Sequence, residues 1–164
     1  MRDADLPDPK AFSQFHPFIK GVFSQWHPTS FVVEDETFVT AEQWMMVQKA
    51  RLFDDHEAAA AIMVTDDPAV QKRLGQGVAG FDEDIWHQHR VRIVHHGNLE
   101  KFRQNAGAGR QLRATSPAML VEANPRDWNW GNGLALDDPD NQDPTAWKGE
   151  NLLGRILTLV RDQI

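Results

Sequence analysis

The sequence predicts an α+β fold, predominantly helical, with a small β-hairpin or sheet. Three observations lead there. Capping residues open a series of helical segments; one stretch near residue 35 reads as a hairpin; and a single apolar run near residue 120 is short enough for a strand. The chain has 164 residues, which fits one compact domain with a self-sufficient core. We expect a flexible tail over 1–10 and a single domain over 11–164.

Residues Ala11 to Ser24 carry phenylalanines with no clear helical period and are expected to be irregular. Phe31-Val32-Val33, Glu34-Asp35-Glu36 and Thr37-Phe38-Val39 read as strand, turn and strand. Thr40 follows as an N-cap, with Gln43 completing a capping box, and a helix runs from Ala41 to about Phe53. Asp54 or Asp55 caps a second, alanine-rich helix through Met63. Asp67-Pro68 starts a third, ending near Gly75 or Gly77. Asp82 opens a long helical segment to about Asn105, whose apolar residues switch faces. It either breaks near Gly97-Asn98 or is buried on two sides. Gly107 and Gly109 are expected to end that segment, with at most a turn of helix over Leu112 to Thr115. Met119 to Ala123 is strand-like. Asn124 to Ala146 is a long loop rich in Pro, Asp, Asn and Gly, and its tryptophans argue against disorder. A last helix spans about Asn151 to Arg161.

Composition excludes several function classes. Cysteine is absent, so there are no disulfides, thiolate zinc sites or cysteine nucleophiles. No apolar run approaches the roughly 20 residues that span a bilayer, and the N-terminus lacks a signal peptide's apolar stretch. A cytoplasmic location and no membrane partner are expected. A net charge of −7 argues against a stable nucleic-acid complex, which relies on neutralising many phosphates. His87 and His89, like His95 and His96, do not share a helix face, so no helical zinc pattern exists. Neither a nucleophile elbow nor a phosphate or dinucleotide loop is present. Six Trp and nine Phe stand beside no Tyr, and rings of this kind serve either a core or the stacking of bases and sugars.

The chemistry-bearing candidates are few. Glu42 and Lys49, seven residues apart, lie on one stripe of the Ala41 helix together with Met45 and Met46. They form either a carboxylate–amine pair on a buried face, where pKa values shift, or two solvated charges. Glu122 ends the apolar strand and Asp127 begins the Trp-rich loop. Carboxylates on different elements can converge on a sugar, but for Glu122 the reading as an ordinary strand-end acid is the stronger. Trp130-Gly131-Asn132-Gly133 combines a stacking ring with glycines that allow close backbone approach. Trp147 to Asn151 precedes a helix whose free N–H groups can bind an anion or simply be capped.

Taken in order, these segments resemble a known family. Thr40-Ala41-Glu42-Gln43-Trp44-Met45-Met46-Val47-Gln48-Lys49-Ala50 resembles the signature helix of the NADAR, or YbiA-like, family. Phe23-Ser24-Gln25-Trp26 resembles its early segment. Trp86, Lys101-Phe102-Arg103-Gln104-Asn105, Leu120-Val121-Glu122-Ala123, Asp127 to Gly133 and Trp147 to Gly154 follow in register. Trp44 stands where a tyrosine is commoner, and the loop from Leu134 to Thr145 is acidic. The resemblance implies an N-glycosidase that needs no cofactor and no metal. Its substrates would be small nucleotide-like ribosylamines, either phosphorylated intermediates of riboflavin synthesis or ADP-ribosyl-guanine adducts. It implies catalytic roles for Glu42, Lys49 and Asp127, with Glu42 and Asp127 flanking the ribose C1. Lys49 would position a phosphate or form a Schiff base. Trp86 would wall the pocket, with Trp130, Gly131 and Asn151 as further substrate-binding candidates. A binding module that holds ADP-ribose without cleaving it, and a protein-binding scaffold, are the competing readings.

Overall fold

The computed structural model describes residues 1–164. Four strands and six helices follow one another as β1 (Phe15–Phe18), β2 (Phe31–Val33), β3 (Glu36–Phe38), α1 (Ala41–Leu52), α2 (His56–Met63), α3 (Pro68–Gln76), α4 (Glu83–Gln104), α5 (Ala106–Arg113), β4 (Met119–Glu122) and α6 (Leu152–Arg161).

Helix α1 is the centre of the molecule. It packs against α2, α3 and α4, and α4 in turn carries α6. A helix surrounded in this way must be apolar on most sides. Ala41, Trp44, Met45, Met46, Val47 and Ala50 are all buried. Thr40 caps it as expected, its Oγ1 accepting the Gln43 N–H at 3.0 Å. The reciprocal half of the expected capping box is displaced. Gln43 Oε1 accepts the N–H of Val39 at 2.8 Å, and its Nε2 donates to the carbonyls of Ile62 and Thr65 at 3.1 and 3.2 Å. The amide thereby ties the start of α1 to the end of α2.

Helix α4 runs unbroken through Gly97-Asn98 for 22 residues and is buried on two sides. Gly97 is a notch rather than a break. A Cβ there would overlap the indole of Trp44, whose Nε1 donates to the Ile93 carbonyl at 2.8 Å.

Two expectations are corrected. Ala11 to Ser24 is not wholly irregular, because Phe15–Phe18 forms β1, parallel to β4 in the register Phe15–Met119 to Phe18–Glu122. Pro17 disguises the strand, and a two-stranded sheet has only edges, where proline is tolerated. Gly107 and Gly109 do not end a helix but lie inside α5. A Cβ on Gly109 would come within 3.0 Å of the Phe102 carbonyl, so the glycine serves the close approach of α4 and α5.

The hairpin forms as β2 and β3, paired antiparallel. Its two-residue turn, Glu34-Asp35, has φ of 49° and 67°, so β3 begins one residue before the expected position. The long loop is built from short 3₁₀ turns at Pro139–Gln142 and Pro144–Ala146, capped by Asp138 and Asp143. The first ten residues, expected as a flexible tail, lie against the body. Leu6 is in the core, Asp3 pairs with Arg90 at 2.7 Å, and Arg155 donates to the Pro7 carbonyl at 3.0 Å. No helix is long and apolar enough to cross a membrane.

Candidate active site

One face of α1, one face of α3, the start of α4, the end of β4 and the loop beyond it surround a cavity of about 610 Å³. Five of the seven predicted site residues line it: Glu42, Lys49, Trp86, Asp127 and Trp130.

Glu42 sits in the first turn of α1, where its N–H donates to the Gln25 carbonyl at 3.0 Å. The residue is 6% exposed. Burial pushes its carboxyl up to about 7; Asp127 adds to the rise, while Lys72 and Lys49 oppose it. Two turns further on, about 10 Å along the axis, comes Lys49. Its Nζ lies 4.6 Å from the centre of the Phe81 ring and 5.7 Å from that of Trp86. Desolvation by this aromatic surround lowers its pKa, partly offset by Glu42. The reading of two solvated charges therefore does not hold: α1 brings a carboxyl and an amine to one enclosed face.

Asp127 has two functions in one side chain. Its Oδ1 accepts the N–H groups of Asn129 and Trp130 at 3.0 and 2.8 Å, an Asx turn that fixes the loop. The same residue faces the cavity and raises the pKa of both Glu42 and Glu122. Trp130 lines the cavity as well, with the Arg90 guanidinium 6.0 Å from its ring centre.

Gly131 and Asn151 are not at the cavity. A Cβ on Gly131 would come within 2.9 Å of the Asp127 and Glu122 carbonyls, so its role is close packing. Asn151 is wholly buried and bridges to β4 through both ends of its amide. The first donors of the expected anion site at the start of α6 are taken: the N–H groups of Leu152 and Leu153 go to the carbonyls of Asn129 and Trp130, each at 3.1 Å.

Several lining residues were missed. Lys72 comes from α3, Lys20 from the stretch after β1, and Arg126 from the loop after β4, giving the cavity a cationic rim. Trp26, in the Phe23-Ser24-Gln25-Trp26 segment, is an exposed ring at the same rim. Glu122 was set aside as a strand-end acid, yet it lines the cavity too. The available signal was its place at the end of an apolar strand, five residues before Asp127. No group of three His, Cys, Asp or Glu side chains is arranged to hold a metal ion. A second hollow, of about 420 Å³, lies beside Trp44, Gln48 and Arg51 and shares none of these residues.

The NADAR domain matches residues 11–164. The chain belongs to the NADAR family. Among its relatives is an N-glycosidase of Acanthamoeba polyphaga mimivirus, 38% identical over 87% of this chain and 86% of that protein. The N-glycosidase YbiA of Escherichia coli is 28% identical, covering 88% of this chain and 81% of its own length. A riboflavin biosynthesis protein of Vibrio vulnificus is 29% identical over 88% of this chain and 35% of that protein. The solution structure of Escherichia coli YbiA superposes with a TM-score of 0.76 at 27% identity, covering 92% of this chain and 84% of that one. The α+β, largely helical single domain is therefore the NADAR fold, and N-glycosidase is the activity class of this chain.

Proposed function

We propose that this N-glycosidase hydrolyses the ribose–nitrogen bond of small, phosphorylated, nucleotide-like ribosylamines. The substrates would be early riboflavin-synthesis intermediates or ADP-ribosyl-guanine adducts, with release of ribose 5-phosphate or ADP-ribose. The observation that carries this reading is the convergence of Glu42, Lys49 and Asp127 in one cavity walled by Trp86 and Trp130. The name of the Vibrio vulnificus relative supports the riboflavin-linked substrate.

Breaking a C1–N bond builds positive charge on the sugar, so the site must stabilise that charge and deliver a nucleophile. Asp127, fixed by its own loop, lies beside the ribose and offsets the developing charge. Glu42, partly ionised at neutral pH, takes the proton of the attacking water. Lys49 has an amine whose protonated form is disfavoured by desolvation. It is suited to attack C1 as the leaving group departs; the ribosyl-lysine so formed opens to a Schiff base, which water activated by Glu42 hydrolyses. Trp86 and Trp130 hold the base by stacking. The cationic rim of Lys20, Lys72 and Arg126 suits a phosphate, within a protein whose net charge of −7 disfavours polymeric nucleic acid.

Product analysis tests the reading. Purified protein is incubated with a phosphorylated ribosylaminopyrimidine and, separately, with ADP-ribosylated guanosine, and mass spectrometry follows free ribose 5-phosphate or ADP-ribose. Release that Glu42→Gln abolishes is expected. Binding of both compounds without release of either would overturn the reading in favour of a ligand-binding module.

A further inference from the structure

We propose that Glu122 is the general acid of the reaction, giving its carboxyl proton to the departing nitrogen as the C1–N bond breaks. The proposal rests on the N-glycosidase reading and adds a catalytic residue to it.

The main chain of Glu122 is pinned on both sides. Its N–H donates to Asn151 Oδ1 and its carbonyl accepts the N–H of Asn132, each at 2.9 Å. The side chain is not so used. It lines the cavity with Glu42 and Asp127, and its Oε2 is enclosed with no hydrogen-bond partner. An enclosed carboxylate oxygen without a donor is costly as an anion. Carrying a proton, the same group is a donor in search of an acceptor. Oε2 is itself closed off, but the other oxygen, Oε1, has no partner in the protein and stays accessible on a residue that lines the cavity, so Oε1 is the one that meets a ligand atom.

The surrounding charges point the same way. Burial is the main cause that raises the Glu122 carboxyl, to about 8; Asp127 and Glu42 add to it and Lys72 opposes it. Lys49, Lys20 and Arg126 also line the cavity. Glu42 is opposed by Lys49 as well as by Lys72, so its anion is supported by two lysines where that of Glu122 has one. One cavity thus holds a carboxyl whose proton is held mainly by burial and a second whose anion two lysines support, which is how two like groups divide acid and base work.

The proton balance closes. The C1–N bonding pair stays on nitrogen, which takes the Glu122 proton and leaves as the free amine. The Lys49 amine bonds to C1 in its place, and water then displaces Lys49 from C1, giving a proton to Glu42 as the free lysine amine is restored. Transfer from Glu42 to Glu122, directly or through solvent, resets the site.

The test compares two leaving groups in Glu122→Gln, which keeps shape and removes the acid. Toward the ribosylamine, kcat should fall about 10²- to 10⁴-fold with KM little changed. The fall in wild-type kcat/KM above about pH 8 should disappear. Toward 4-nitrophenyl riboside 5-phosphate, whose phenolate departs without a proton, the loss should stay within about tenfold. Equal losses on both compounds, or a retained alkaline limb, would overturn the proposal. Wild-type protein that cleaves neither compound would instead overturn the reading on which it rests. Should Glu122→Gln fail to fold, Glu122→Asp carries the same comparison. It should keep the alkaline limb and lose rate selectively on the amine, and an equal loss on both substrates overturns the assignment.

Discussion

Asn151 Oδ1 accepts the backbone N–H of Glu122 at 2.9 Å, while Nδ2 of the same amide donates to the Leu120 carbonyl at 3.0 Å. One wholly buried side chain at the start of α6 therefore clamps the end of β4, where the chain enters the cavity. Asn151 also has φ of 52°, which asparagine tolerates better than alanine. Asn151→Ala should cost about 2–4 kcal/mol, because it orphans a buried N–H and C=O and adds backbone strain. Asn151→Gly should cost less, since it relieves the strain alone. Urea midpoints at unchanged m would measure both, and an unaltered midpoint for Asn151→Ala would remove the clamp from the account.

Lys49 separates charge from nucleophilicity. Lys49→Arg keeps the cation but cannot form a Schiff base. Turnover should drop by at least about 10²-fold in this variant. Borohydride added during wild-type turnover should leave a sugar on the Lys49 peptide, visible by mass spectrometry. A clean failure to trap it would return Lys49 to a positioning role.

The pH profile should report Glu42. Its carboxyl must be ionised to act on water, so kcat/KM should fall on the acid side of about pH 7, and Glu42→Gln should abolish both that limb and turnover. Stability carries the same signature. The folded pKa of about 7 exceeds the ordinary 4.5, so folding favours the protonated acid. That contribution is present below pH 4.5 and lost as pH rises through 7. Glu42→Gln should therefore gain stability relative to wild type between pH 4.5 and 8, as read from urea unfolding at the two ends.

A different lysine sets an opposite pH dependence. Lys101 is fully buried, its Nζ donates to the Ser24 carbonyl at 3.0 Å, and desolvation lowers its pKa to about 7. Between pH 7 and 10.5 the unfolded chain binds this proton and the folded chain does not, so wild-type stability rises with pH across that window. Lys101→Met should lose this rise. Relative to pH 7, wild type should gain on the order of 3 kcal/mol over the variant by pH 10, measured from unfolding midpoints. Parallel curves for the two proteins would contradict it.

Trp86 tests the stacking wall. It is 8% exposed and faces the cavity beside Lys49. Trp86→Leu keeps apolar bulk and loses the ring face, so KM should rise about 10- to 100-fold. Titration with ribose 5-phosphate, which has no base, should show a much smaller change; equal weakening of both ligands would place the ring against the sugar.

Much of the helical frame was legible because its signals are local. Thr40, Asp55, Asp67 and Asp82 each accept an N–H from the helix they open, so a few neighbouring residues suffice to locate each start. Glu42 and Lys49 were legible as a pair for the same reason, since helical spacing alone puts them on one stripe. Strand β1 was not, because its partner lies about a hundred residues away and Pro17 breaks its pattern. Gly109 and Gly97 were equally opaque: what they make room for comes from Phe102 and Trp44, on other helices.

The sequence by itself determined five of the six helices, four of their caps, the hairpin, the family and the residues of α1 that carry the amine and one acid. Only the tertiary structure decided that Glu122 joins them, that Asn151 and Gly131 stand behind the site rather than in it, and that Lys72 and Lys20 rim it. The physical reason is desolvation. A carboxyl at a strand end has an ordinary pKa until Asp127, Glu42 and the surrounding chain are folded around it, and that environment is assembled from segments the local sequence cannot see.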